Sequence, residues 1–321
     1  MLPVSTTPAI LNEKTRKNFA KMEKGGEEVK ATSKNQAFVL LFLTFFLWGS
    51  VYVGGKFAAG YMSPLMVACL RCTTAMIPLS FMARKHFGTK IAREDWKYFF
   101  IVGFLGYFST ITLIQLGIAL TGASTAALIN ALSPASIMIM AALILKEKIS
   151  PVKWLCLALG LAGTFVVTSG ADGQSEMLGV MLVLLSLFTW GTASVFMRRL
   201  GGKYPPILVT TYGMAISLIF HFPVGVYTLV KDGIRLEPIS ILAILYLGFA
   251  GSGVAQYTWA KCLSVLPAST CSLFYPLQAA FSALLGALLL KETFAPTFFL
   301  GMILITADVA ISTWETRRNS V

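Results

Sequence analysis

The sequence predicts an all-α integral membrane protein with ten transmembrane helices, arranged as two inverted five-helix repeats. Three observations carry this. Of 321 residues, 56% are hydrophobic and only 12% are charged, about half the charge of a soluble domain. The apolar residues fall in continuous runs of roughly the 20 residues that a bilayer-crossing helix needs. Uncommon residues of the first half also recur, in order, in the second.

The apolar runs are Ala37–Ala59, Pro64–Arg84, Lys97–Ala119, Ala123–Leu145, Pro151–Ser169, Met177–Arg198, Pro206–Val230, Ser240–Lys261, Pro267–Leu290 and Thr297–Thr313. Several begin at proline, whose missing N–H costs little in a helix's first turn. The runs do not alternate every second residue, which excludes a transmembrane barrel. The domain organisation expected is a charged tail (1–36), a first repeat (37–169), a second repeat (177–314) and a short tail (315–321). The first tail mixes Lys14, Arg16, Lys17, Lys21, Lys24, Lys30 and Lys34 with Glu13, Glu23, Glu27 and Glu28. It lacks the apolar stretch and cleavage site of a secretory signal.

The net charge of +12 follows from topology. With the amino terminus inside, the outer segments hold only Lys231, Arg235 and Lys291. Lys56 and Arg71 lie within spans, and every other Lys and Arg falls on the inner side. The positive-inside bias then puts both termini in the cytoplasm. With the charge so explained, no nucleic-acid partner is expected.

The repeat is read from spacing. Trp48-Gly49 stands eight residues before Lys56, as Trp190-Gly191 stands before Arg198. The offset of 142 also pairs Pro64 with Pro206 and Val67 with Val209. An offset of 145 pairs Gly103-Phe104 and Gly106 with Gly248-Phe249 and Gly251, and Ala123-Ser124-Thr125 with Ala268-Ser269-Thr270. It also pairs Lys146-Glu147 with Lys291-Glu292, and Pro151 with Pro296. Five crossings per repeat is odd, so the second half enters from the opposite side. Inverted repeats of this kind serve secondary transporters, with a solute site near the midplane.

These residues carry a resemblance. The Trp48-Gly49…Lys56 opening, Pro64…Arg71, the Ala123-Ser124-Thr125…Asn130…Pro134…Lys146-Glu147 helix and its echo Ala268-Ser269-Thr270…Tyr275-Pro276…Lys291-Glu292 resemble the drug/metabolite transporter superfamily, in its ten-helix EamA-type branch. The likeness covers about residues 37 to 314. It implies transport, often outward, of amino acids, amines, nucleosides, sugars or drugs. One departure is Asp308, which stands opposite Gly163, where the family usually has a small residue.

Enzymatic motifs are lacking. The two histidines, His86 and His221, fall in a loop and a span, and no cofactor or metal is expected. Gly55-Lys56 lacks the flanking residues of a phosphate-binding loop. The five cysteines all lie in apolar runs. Cys69 and Cys72 form a Cys-x-x-Cys with no second pair or neighbouring histidine, and read as small apolar residues.

The candidate solute contacts are Trp48, Tyr107, Asn130, Trp190, Gln256, Tyr275 and Gln278, all at estimated midplane depth. Buried amides must be paired, so Asn130 and Gln278 either bind solute or join helices. Trp48 and Trp190 either face solute or fill the seam between repeats. Charges inside the bilayer are costly and usually functional. Arg71 either binds helix carbonyl ends or recognises an anion, and Lys56 either reaches the interface or acts in transport. Asp308 is a neutral hydrogen-bonded acid, a proton-coupling group or half of an ion pair. The expected partners are a small-molecule solute and the bilayer, in a monomer or homodimer of the plasma (inner) membrane. A channel or solute sensor is the alternative.

Overall fold

The computed structural model describes residues 34–145, 151–168, 174–201, 203–263, 271 and 274–318; within these helices some side chains, that of Asp308 among them, fall outside the described residues. The first tail to residue 33, Lys146-Glu147 and Ala268-Ser269-Thr270 also lie outside them.

All regular structure among the described residues is helical. Seven helices are long and apolar enough to cross a membrane: α1 (Gln36–Ala58), α2 (Pro64–His86), α3 (Arg93–Thr121), α4 (Ala123–Ile144), α6 (Glu176–Gly201), α7 (Pro206–Asp232) and α8 (Pro238–Cys262). Three further helices stand where the sequence places the remaining runs. These are α5 (Pro151–Thr168), α9 (Tyr275–Leu290) and α10 (Pro296–Arg318). Many large apolar side chains, such as Val39, Phe81, Ile219 and Val230, are exposed and suit lipid contact.

Local chemistry sets the helix starts. Pro64 follows Ser63, whose hydroxyl accepts from the Met66 N–H at 3.3 Å. Pro238 follows Glu237, which forms a capping box with Ser240. The end of α3 is taken by Gly122 at φ +100°, a conformation that suits glycine.

The two halves pack by exchange. Helix α2 lies on the middle of α8, and α7 lies on the middle of α3. Helix α1 pairs with α9, and α6 with α4, while α2 meets α7 and α5 meets α10. Each contact has its counterpart with the halves swapped, which is the pattern of a pseudo-two-fold axis. Finer features repeat as well. Helices α3 and α8 both open into wide, i→i+5 turns, at Val102–Ser109 and Leu247–Val254, which are 145 residues apart. Pro78 and Pro223, each inside a helix, are also 145 apart. A methyl on Gly103 would lie 2.8 Å from the Gly213 carbonyl oxygen, and one on Gly248 would lie 2.9 Å from that of Arg71. Only glycine lets the helices approach so closely.

Two polar clusters join the halves near the ends of the bundle. In the first, Lys203 Nζ stands 2.9 and 3.0 Å from the two carboxylate oxygens of Asp95, and the Tyr204 hydroxyl donates to Asp95 at 2.8 Å. The Ala92 N–H donates back to Tyr204 at 3.0 Å. Burial pushes the Tyr204 phenol up, and the adjoining Asp95 carboxylate pushes the same way. In the second cluster, Glu292 receives the first backbone N–H groups of α4. Lys56 is settled nearby, its ammonium donating to the Ala119 carbonyl at 3.0 Å. It thus caps a helix end, on which the positive charge is favoured.

Candidate functional site

The middle of the bundle gathers aromatic and polar side chains from both halves. Helix α1 contributes Phe45, Trp48 and Tyr52, spaced so that Trp48 and Tyr52 share a face. Trp48 is half-buried, with its ring 5.4 Å from Trp259 of α8 and 6.4 Å from Tyr275 of α9. Phe45 closes the group, 5.4 Å from Trp48, 5.8 Å from Trp259 and 5.0 Å from Tyr275. Most of these pairs meet edge to face, the arrangement that ring quadrupoles favour.

Tyr275 is buried, and among the described residues its hydroxyl has no hydrogen-bond partner. The Trp190 indole lies beside that hydroxyl but outside good hydrogen-bonding geometry. One turn further along α9, the amide nitrogen of Gln278 is also buried without a partner. A buried polar group left unpaired is costly, and clusters of them call for an explanation. Asn130, half-buried on α4, holds the Ser133 hydroxyl by its own carbonyl at 2.6 Å, and its side chain lies against the phenol of Tyr52. Tyr52 is within electrostatic reach of both Arg71 and Tyr275.

Arg71 is buried on α2, where its Nε donates to the Ser252 hydroxyl at 3.0 Å. Ser252 belongs to the wide turn of α8. His221 stands on the other side of α2's contact with α7. Its two ring nitrogens meet Thr112 Oγ1 at 3.3 Å and the Ser217 carbonyl at 3.2 Å.

Trp48, Asn130, Trp190, Tyr275, Gln278 and Arg71 therefore belong to one neighbourhood, linked through Tyr52. Gln256 is half-buried on α8. Tyr107 packs in one buried cluster with Trp190 and Cys72. Its ring lies at the seam where α3 crosses α7, where a methyl on Gly213 would stand 2.8 Å from it, and its hydroxyl lies beside Thr210. Asp308 stands on α10, which packs mainly on α5 and also touches α4 and α9; its side chain is outside the described residues. Tyr52 and Ser252 border this candidate site and were not singled out by sequence. Among the described residues no three His, Cys, Asp or Glu side chains gather as metal ligands would.

Comparison with known proteins decides the family. The model of the EamA-like transporter family matches twice, over residues 35–169 and 177–314. The chain belongs to the EamA-like transporter family. Among EamA-like relatives, one from Archaeoglobus fulgidus named an uncharacterized transporter is 25% identical over 257 residues, covering 79% of this chain and 90% of its own. Another, from Escherichia coli, is named a probable amino-acid metabolite efflux pump. It is 26% identical over 299 residues, covering 87% and 95% respectively. A crystal structure with a TM-score of 0.63 and 20% identity covers 90% of this chain and all of its own, and supports the fold alone. As an EamA-like protein with seven helices of spanning length, the chain is an integral membrane protein of a transporter family.

Proposed function

We propose that this protein is a secondary transporter that moves a small polar or amphipathic metabolite across the plasma (inner) membrane, by export or exchange. In this reading all ten helices cross the bilayer, the second repeat is inverted, and both termini are cytoplasmic. The halves rock about their pseudo-two-fold axis to expose the central group to each side in turn. Trp48, Asn130, Trp190, Tyr275 and Gln278 contact the solute, with Tyr52 beside them, and Asp308 couples the cycle to protons. The transporter works as a monomer or homodimer, with no cofactor and no nucleic-acid partner.

One observation carries the reading most. Both halves send aromatic and amide groups to one neighbourhood, where, among the described residues, the Tyr275 hydroxyl and the Gln278 amide nitrogen have no partner. A purely structural core would have filled those positions with paired or apolar groups. The EamA-like match over both halves supports it, as does the name of the Escherichia coli relative.

Uptake of radiolabelled amino acids, amines, nucleosides and sugars by proteoliposomes tests it. The expected result is saturable movement of one class above protein-free vesicles, reduced by alanine at Asn130 or Tyr275. Unchanged transport in both variants would remove those residues from the site.

A further inference from the structure

Arg71 is the departure from symmetry at the centre of the bundle. Under the offset that pairs Pro64 with Pro206, its counterpart is Gly213. Ser252, which Arg71 meets, has Tyr107 as its counterpart under the offset of 145. At one seam a large tyrosine faces glycine; at the other a small serine faces arginine. Packing alone is met at the first seam by an aromatic ring. The second seam carries a buried guanidinium instead.

That guanidinium is 6% exposed, and among the described residues it makes a single hydrogen bond, from Nε to Ser252. Among the described residues no carboxylate is placed against it; Lys203 pairs with Asp95 near the end of the bundle. The surrounding groups are Tyr52, Cys72 and His221. A methyl on Gly251 would overlap Val51 and only touch Nη2, at 3.8 Å, so the glycine serves the close approach of α1.

A guanidinium offers five N–H donors in a fork that fits a carboxylate. Here the fork is left uncommitted at a depth where an unpaired cation is costly. Among the described residues, the buried side-chain atoms without a partner are the Tyr275 and Ser282 hydroxyls and the Gln278 amide nitrogen, which can donate, and the Gln115 amide oxygen, a neutral acceptor. What the neighbourhood lacks is an acceptor carrying negative charge.

We propose that Arg71 recognises a carboxylate on the transported solute. This rests on the transport reading above and narrows its substrate class to carboxylate-bearing metabolites. The two terminal nitrogens take the carboxylate side by side, Nε stays on Ser252, and the Tyr52 phenol borders the bound group. Export of a sugar or nucleoside, or of an amine, which is cationic at neutral pH, would leave the guanidinium without an anionic partner throughout the cycle.

The test uses the full-length protein in proteoliposomes. Labelled L-phenylalanine, L-threonine, L-glutamine, phenethylamine and uridine are offered separately. Each active acid is then competed by its carboxamide and by phenyl phosphate. The expected result is movement of acids only, with the carboxamide at least about tenfold weaker as competitor. Arg71→Gln and Arg71→Lys should raise KM about tenfold or more, because Lys keeps the charge but not the fork. Their thermal unfolding in detergent should stay near that of the parent. Movement of uridine or the amine in preference to acids would overturn the inference while leaving transport intact. So would an unchanged KM for an acid in Arg71→Lys, or phenyl phosphate competing better than the acids. Movement of none of the five above protein-free vesicles would remove the transport reading, and this inference with it.

Discussion

Glu292 holds the start of α4: its Oε1 lies 2.9 Å from the Ala123 N–H, and its Oε2 accepts from the Ser124 hydroxyl. A residue of the second half thus caps a helix of the first, across 169 positions. The negative charge also opposes the positive end of the helix dipole. Glu292→Gln keeps the shape and removes the charge. It is expected to cost about 1 kcal/mol and to lower the unfolding temperature in detergent. An unchanged unfolding temperature would show that the cap contributes nothing.

At the other clustered contact, the partners of the ion pair differ in burial. The Asp95 side chain is 4% exposed, and that of Lys203 is 54% exposed. An exposed pair is worth about 1 kcal/mol or less, whereas a buried carboxylate also holds the Tyr204 hydroxyl. Asp95→Ala should therefore destabilise more than Lys203→Gln, by about 1–3 kcal/mol against under about 1. Chemical denaturation followed by tryptophan fluorescence gives the order, and the reverse order would contradict it.

Close helix contact makes glycine size-critical. Gly248→Ala would place a methyl 2.9 Å from the Arg71 carbonyl and against Thr74, while Gly88→Ala meets nothing within 4 Å. The first should cost about 1–3 kcal/mol by overpacking, and the second should be neutral. Thermal unfolding of the two variants side by side decides this; equal behaviour would mean the seam yields freely.

Asp308 is proposed as the coupling residue from its place in the repeat, opposite Gly163 on helices that pack together. An ionised carboxylate near the bilayer centre costs at least about 2.5 kcal/mol on insertion scales. Asp308→Asn should abolish accumulation driven by a proton gradient and leave downhill exchange. Accumulation with the same pH profile would make Asp308 structural.

Much of the fold was legible because a bilayer imposes crude, strong rules. Continuous apolar runs, prolines at starts and lysines on one side all survive in composition. The reciprocal packing followed from the same repeated residues. The site was harder. Trp48 advertised itself through its echo at Trp190, whereas Tyr52 repeats nothing and is found only by stepping one turn along α1. Tyr107 lies within the wide turn of α3 and packs in the same buried cluster as Trp190, a feature its residue type alone does not announce. Glycines such as Gly103 and Gly251 read as packing residues, and nothing in their spacing announces an i→i+5 turn. Ser252 gains its importance from Arg71, a partner 181 residues away. Lys56 was undecided until the Ala119 carbonyl stood before it.

Trans-stimulation separates a carrier from a pore most directly. Proteoliposomes holding the wild-type protein are preloaded with an unlabelled solute that they transport, then given trace label outside. Alternating access between the halves predicts that preloading speeds label entry and drives a transient overshoot. Label entry that is indifferent to preloading and does not saturate would contradict the carrier mechanism.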